Sequence, residues 1–536
     1  MPAPSILLAT GTYVRVAAGV GQAGISHQVD ASNSLEKLRT DTHRLIIPEG
    51  GMEHHTIRGT IQEPRAGQEA RTLWGRTALI IAVLVGICAG MLALPAPEGL
   101  SPTGQRVIVV AVAAIGLWST DALPAGLTSM LVVVLLVLLG GVPTFREALA
   151  GFAHPVAYFL IGVLTIGLAV SRSGLAERIA RFFLWRARGR PQALYVQMLL
   201  AFPLLTFLLP SATTRTGILI HVYDQALELS HVPRGAPLAK AIMMALNSIN
   251  RLASTVLLTG GITPITAAAL IGGISWSRWF VLMSVPYYAI LLLGSGLIYR
   301  LYGRGFGAVL SVPALEAPRP LSGRELRTVL ITLGTSLLWL TDAWHHWHPA
   351  LPALLAWICL LAPGIGVLSW SDFERHLGWA NVFVLAASLS LAQAMVGSGA
   401  AAWLADRLVW ATAAEATRPW LVIAMLLLAA APVRLLIPNI TGFLAITIPI
   451  AMSVGTATGL NPVVCGLLMM IAGDAVLYYP AQSASSLVVY ERGHLSGPEI
   501  FRFGLWMTLV AYVVVLIVAL PYWTAVGEPL LMGGAR

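Results

Sequence analysis

The sequence predicts an all-α polytopic membrane protein built as an inverted repeat, with about 11 transmembrane helices and two re-entrant helical hairpins. Three observations predict it. Of the 536 residues, 57% are hydrophobic and 11% charged, whereas soluble domains carry about 25% charged residues. Apolar runs of bilayer-spanning length recur from residue 77 onward. Two further apolar stretches are interrupted at their centres by proline and small polar side chains: "LLPSATTRTG" (Leu208–Gly217) and "PNITGF" (Pro438–Phe443).

Residues 1–72 are polar and hold no apolar run long enough to span. "GVGQAG" at Gly19–Gly24 matches the pattern of a dinucleotide-binding loop. That motif needs a full βαβ unit, and the first span begins too soon for one. No basic segment precedes "SILLAT", so a signal peptide is not expected. The segment reads as a disordered tail, or as sequence upstream of a true start at Met52.

The candidate spans are 77–95, 106–122, 124–141, 155–172, 238–274, 279–300, 326–343, 350–368, 380–398, 462–489 and 500–524. A crossing needs about 20 apolar residues. Stretches 238–274 and 462–489 exceed that and are broken by Gly, Pro, Ser and Thr. Stretches 193–222 and 419–456 have halves too short for a full crossing and fit hairpins. The net charge of +9 is almost wholly arginine, since Lys37 and Lys240 are the lysines. Arginines cluster after the fourth and sixth spans, at Arg172–Arg190 and Arg300–Arg327, while "DAWHHWHPA" has no Lys or Arg. By the positive-inside rule the N-terminus is cytoplasmic and the C-terminus outside. The hairpins then enter from opposite faces. The same distribution argues against nucleic acid as a partner. Cys88, Cys359 and Cys465 lie in apolar segments and imply no disulfide framework.

"GVPTFREALAGFAHPVAYFL" from Gly141 aligns without gaps to "GVLSWSDFERHLGWANVFVL" from Gly366. "ALPA" at Ala122 recurs at Ala350, and Pro210 corresponds to Pro438. The expected organisation is a tail over 1–72, a first repeat over 73–300, a cytoplasmic linker over 301–325, a second repeat over 326–524 and an outer tail over 525–536. Inverted repeats with broken helices mark secondary transporters, and the breaks point to a midplane site.

Ser211 and Thr213 are placed to cap the returning arm of the first hairpin, and Asn439 and Thr441 that of the second. A helix N-terminus in low-dielectric surroundings attracts anions. The broken spans add "TGGITP" (Thr259–Pro264) and "YPAQSASS" (Tyr479–Ser486). Close packing alone also favours such residues in membrane helices, but two tips at matching repeat positions favour a site. Charges inside spans are costly and are either functional or paired. Arg251 and Asp474 fit a structural ion pair or a functional role, and Arg434 is expected near the membrane edge. Arg215 either meets a substrate carboxylate, standing in for a coupling cation, or turns off the hairpin to pair with an acid or a carbonyl. "HHWH" at His345–His348 fits no ordinary zinc spacing, and no metal site is expected. "GSG" at Gly294 lacks the intramembrane histidine that a serine hydrolase would need, so no enzyme is expected.

From about Leu73 to the C-terminus the chain resembles the divalent anion:sodium symporter family. The resemblance rests on "SGLAERIA", "PSATTRTGIL", "PNITGFLAITIPIA", "GLNP" at Gly459 and "YERGHLS". The family carries a Ser-Asn-Thr motif at each tip. Here Ser211, Ala212 and Thr213 stand in the first, and Asn439, Ile440 and Thr441 in the second. The resemblance implies substrate contacts by Thr213, Thr441, Pro480 and Ala481, with backbone at Gly260 and both tips lining sodium positions. It implies a homodimer working as an elevator: a transport domain slides past a scaffold of spans one to four and seven to nine, joined by amphipathic arms at 174–190 and 399–411. The candidate substrate-binding set is Ser211, Thr213, Thr214, Arg215, Asn439, Thr441, Pro480 and Ala481. The candidates for ion coupling are Ser211, Gly260, Asn439 and Asp474. No cofactor is expected beyond Na+ as a candidate coupling ion.

The expected function is secondary transport of di- or tricarboxylates across the bacterial inner membrane. An inorganic oxyanion permease and a cation/proton antiporter of the same superfamily are the alternatives. A membrane receptor is disfavoured because no soluble signalling domain is apparent.

Overall fold

The computed structural model describes residues 5–7, 13–15, 66–209, 211–307, 320–410 and 418–532. Gly19–Gly24, Met52, Pro210 and most of the linker lie outside the described residues. The chain divides after Ala66. In the first unit, Ser5–Leu7 pairs antiparallel with Tyr13–Arg15. Everything else described is helical or connecting chain.

Eight helices among the described residues are long and apolar enough to cross a membrane. They include three of the four arms of the interrupted stretches, Pro191–Leu208, Pro419–Leu436 and Ile440–Thr458, which are longer than the sequence reading of halves too short to cross; the fourth arm, Ala212–Leu229, is not among the eight. Each first arm begins on a proline that needs no N–H partner, and each carries a second proline inside, at Pro203 and Pro432. The two long spans are broken as expected. The first runs Pro237–Met244, through a π-helical turn at Ala245–Ile249, to Asn250–Thr255, and resumes at Ile262–Ile271. The second runs Pro462–Asp474 and resumes at Ala484–Tyr490.

Small residues let the helices approach closely. A Cβ on Gly162 would meet the Ala353 carbonyl at 2.6 Å, so Pro155–Ser173 and Ala350–Leu361 lie backbone to backbone. A Cβ on Gly151 would meet the Ala386 carbonyl at 1.9 Å, and the Gly151 N–H donates to Ser390 Oγ at 3.0 Å. Burial lowers the His348 imidazole below its ordinary value, and the nearby His154 adds to the shift. Both histidines precede these parallel helices.

One long helix shows how the hairpins are disposed. Trp276–Tyr302 has 27 residues, about 40 Å at 1.5 Å per residue. Near its C-terminal end, Tyr299 accepts from Gln192, at the start of the first hairpin, at 3.5 Å. Near its N-terminal end, Arg278 pairs with Glu528 at 3.0 Å. Glu528 also accepts from Asn461 at 3.0 Å, just past the end of the second hairpin. The two hairpins therefore open at opposite ends of the molecule. Arg172–Asp372 at 3.8 Å and Arg178–Glu325 at 3.6 Å gather the arginine-rich loops around their acidic partners.

Candidate functional site

The site is assembled from four interruptions. The first arm of hairpin one ends at Leu209, and Ser211 caps the returning arm by accepting the Thr214 N–H at 3.2 Å. In hairpin two the first arm ends at Ile437, and Asn439 Oδ1 accepts the N–H groups of Thr441 and Gly442 at 2.9 and 3.2 Å. Each cap satisfies donors that the helix start leaves free. The breaks at 256–261 and 475–483 supply the other two walls. Gly260 is required at its position, because a Cβ there would lie 1.7 Å from the Ser254 carbonyl oxygen.

These four elements surround one cavity of about 350 Å³. Ser211, Thr213, Gly260, Asn439, Thr441, Asp474 and Ala481 all line it. Thr214, Arg215 and Pro480 are not part of its wall; Tyr479, Ala481 and Gln482 represent the second break instead. Facing the tips are Trp118, Ser119 and Asp121 around the end of Pro102–Thr120, and Ala380 and Asn381 at the start of Trp379–Gly397.

Two arginines stiffen the tips: Arg215 takes the second of its two expected dispositions, and Arg434 departs from its expected place. Arg215 is fully buried and turned away from the cavity. Its Nε donates to Asn250 Oδ1 at 2.6 Å, its Nη1 to the Leu209 carbonyl at 3.0 Å, and its Nη2 to the Asn250 carbonyl at 2.7 Å and to Ser254 Oγ. The substrate contact considered for Arg215 has no geometry here. Its side chain leaves the first turn on the face packed against the broken span, where free carbonyls await donors. Arg434 is 1% exposed and lines the cavity. It is not at the membrane edge, because it sits in the last turn before the tip. Its Nε donates to the Gly473 carbonyl at 2.9 Å and its Nη1 to the carbonyls of Ile437 and Pro438 at 2.6 and 2.7 Å. Each arginine thus joins the end of a hairpin arm to the broken span behind it.

Arg251 and Asp474 form an ion pair between the two broken spans, Nη1 to Oδ1 at 2.6 Å. Asp474 Oδ2 accepts from Thr255 at 2.7 Å and from Tyr287 at 3.1 Å. Both oxygens are therefore engaged within the protein. Arg251 Nε is buried without a hydrogen-bond partner among the described residues. An unpaired buried donor on a charged group is costly, so this nitrogen marks a place for an acceptor.

Asn250 and Gln482 were not singled out from the sequence. Asn250 Nδ2 donates to Thr216 at 2.8 Å and to the Ala212 carbonyl at 3.3 Å, fastening the first tip. Gln482 accepts the Tyr478 N–H at 2.6 Å and donates to the Arg434 carbonyl at 2.8 Å. Each is an amide inside a broken span, and that is the signal that could have found them. Among the described residues no group of three or more His, Cys, Asp or Glu side chains could hold a metal ion.

A model of the family described as the sodium:sulfate symporter transmembrane region matches residues 71–528. A membrane protein of Cupriavidus necator is 25% identical, over 85% of this chain and 93% of its own. The citrate/succinate antiporter of Escherichia coli is 23% identical, over 82% of this chain and 96% of that one. The sodium-dependent dicarboxylate transporter of Staphylococcus saprophyticus is 22% identical, over 81% and 90%.

Proposed function

The chain belongs to the sodium:sulfate symporter family, the divalent anion:sodium symporters its motifs resemble, and on that premise we propose that it carries small di- or tricarboxylates across the bacterial inner membrane. It is an integral membrane transporter, not an enzyme. One observation carries the choice of a dianion. Behind the exposed rim residue Asp121, the charges set in and behind the cavity wall are Arg215, Arg251, Arg434 and Asp474, three positive against one negative. The surplus of two matches a dicarboxylate. The other described buried acids, Glu325 and Asp342, serve helix ends elsewhere, the first capping Ser322 and the second accepting the Ser277 N–H.

The arginines carry this charge permanently, since a guanidinium stays protonated in proteins. Sodium-coupled transport is the competing reading, given the sodium-dependent relative. Against it, Ser211 Oγ and Asn439 Oδ1 already accept helix N–H groups. A fixed surplus has a consequence for the cycle. Loaded with a dianion the site is neutral; empty, it carries uncompensated charge through a medium that opposes it. Exchange of one anion for another is favoured over net uptake.

The cavity's second wall supports an elevator. The tips face the ends of Pro102–Thr120 and Trp379–Gly397 rather than their middles. The start of Trp379–Gly397 follows Trp370–His376, whose Asp372 pairs with Arg172 on the arginine-rich side, so the cavity opens to the cytoplasm under the positive-inside assignment. Sliding the hairpin domain along the scaffold would carry it to the other side. A cytoplasmic N-terminus, an outer C-terminus and a homodimer belong to the same proposal. Sulfate is the second reading, because the family description names it and it is also a dianion. The cavity volume lies in the range of organic-ligand sites.

A ligand that binds the folded state raises apparent stability. Thermal unfolding of the purified protein with succinate, citrate, sulfate and phosphate, each with and without sodium, tests the reading. A sodium-independent shift with a carboxylate is expected. A shift with sulfate alone would replace the carboxylate reading.

A further inference from the structure

We infer that Asp474 sets the valence of the transported anion, acting as a resident carboxylate that holds the site's surplus at two positive charges. The inference rests on the carboxylate reading above and deepens it. Asp474 lines the cavity and is 1% exposed. Among the described residues it is the buried acid of that wall; Asp121 also lines the cavity but is exposed at the rim. The groups facing it come from every side. Arg251 and Thr255 belong to the first broken span, Tyr287 comes from Trp276–Tyr302, and Arg434 reaches the Gly473 carbonyl next to it.

This arrangement is more than an ion pair that helps the fold. Arg251 gives Asp474 only part of its fork: Nη1 is bound to the carboxylate, Nη2 reaches the Val476 carbonyl at a long 3.4 Å, and Nε has no partner. Substrate and Asp474 thus address the same guanidinium. A dicarboxylate completes the neutral set. A tricarboxylate leaves one negative charge over, and enters well only after taking up a proton itself. Removing the Asp474 charge raises the surplus to three and favours the fully ionised tricarboxylate. A unit charge a few ångströms away at an effective dielectric of about 20 changes affinity by more than about tenfold.

The test compares succinate and citrate affinities by thermal shift and by uptake in proteoliposomes at neutral pH. Asp474→Asn keeps an acceptor for Thr255 and Tyr287 while removing the charge. It should shift the succinate-to-citrate affinity ratio toward citrate by about tenfold or more. Asp474→Glu, which keeps the charge, should keep the wild-type preference. Arg251→Gln/Asp474→Asn removes one charge of each sign and should restore the wild-type ratio, though with weaker binding of both. If Asp474→Asn does not purify folded, the same step is read between Arg251→Gln and the double variant. An unchanged ratio in Asp474→Asn, or a double variant that behaves like Asp474→Asn, overturns the inference while leaving the carboxylate reading standing. Wild-type protein that binds neither anion overturns both.

Discussion

Arg251 and Asp474 are 223 positions apart, belong to different broken spans, and meet at 2.6 Å in the cavity wall. Their contact ties the two broken spans together in the wall of the cavity that all four interruptions line. Breaking a buried pair by removing one partner costs about 3–5 kcal/mol, because the other charge is left uncompensated. Arg251→Ala and Asp474→Ala should each lower thermal stability strongly. The double variant should lose less than the sum, since paired residues are not additive. Strictly additive losses in denaturation of the three variants would mean that the two side chains do not interact.

Arg215 acts on the tip and not on the substrate. A lysine at that position offers a compact ammonium with no planar fork. Arg215→Lys would strand acceptors at Leu209, Asn250 and Ser254, and each buried unsatisfied group costs about 1–3 kcal/mol. The expected result is a clear fall in unfolding temperature with ligand affinity in the surviving folded fraction little changed. Unchanged stability with lost affinity would return Arg215 to the binding site.

Thr213 and Thr441 stand at equivalent places on the cavity wall, beside the two capped helix starts. A lost hydrogen bond to a charged ligand costs about 1.5–3 kcal/mol, a weakening of roughly ten- to a hundredfold. Thr213→Ala and Thr441→Ala should each weaken carboxylate binding by that amount while expression and unfolding temperature of the empty protein hold. Wild-type affinity in both variants would move the site away from the tips.

Much of this site is legible in the sequence because its parts are local. Ser211 and Asn439 follow a proline within apolar chain, and a small polar residue there caps a helix whatever surrounds it. The breaks at Thr259–Pro264 and Tyr479–Ser486 announce themselves by composition. Partnership is another matter. Asp474 stands out in the sequence as an acid inside a span and so as a partner for an arginine, but that it meets Arg251 rather than Arg215 or Arg434 is decided by packing between the broken spans. Arg434 was expected at the membrane edge, yet its position four residues before Pro438 places it in the last turn of an arm whose carbonyls need donors. Arg215 stands beside the hydroxyls in sequence, but two residues, about 200° around the helix, separate it from Thr213, and its side chain runs toward Asn250. The roles of the Asn250 and Gln482 amides are not local either, because they lie in contacts with Thr216 and the Arg434 carbonyl, on other elements.

The central claim is that fixed arginines, rather than co-transported sodium, balance the substrate's charge. It is tested most directly by efflux of labelled succinate from proteoliposomes into buffer with or without external succinate, and with or without sodium. Rapid efflux only when external succinate is present, at the same rate in sodium and in its absence, is the predicted result. Equal efflux into succinate-free buffer, or exchange that rises steeply with sodium, would contradict the account.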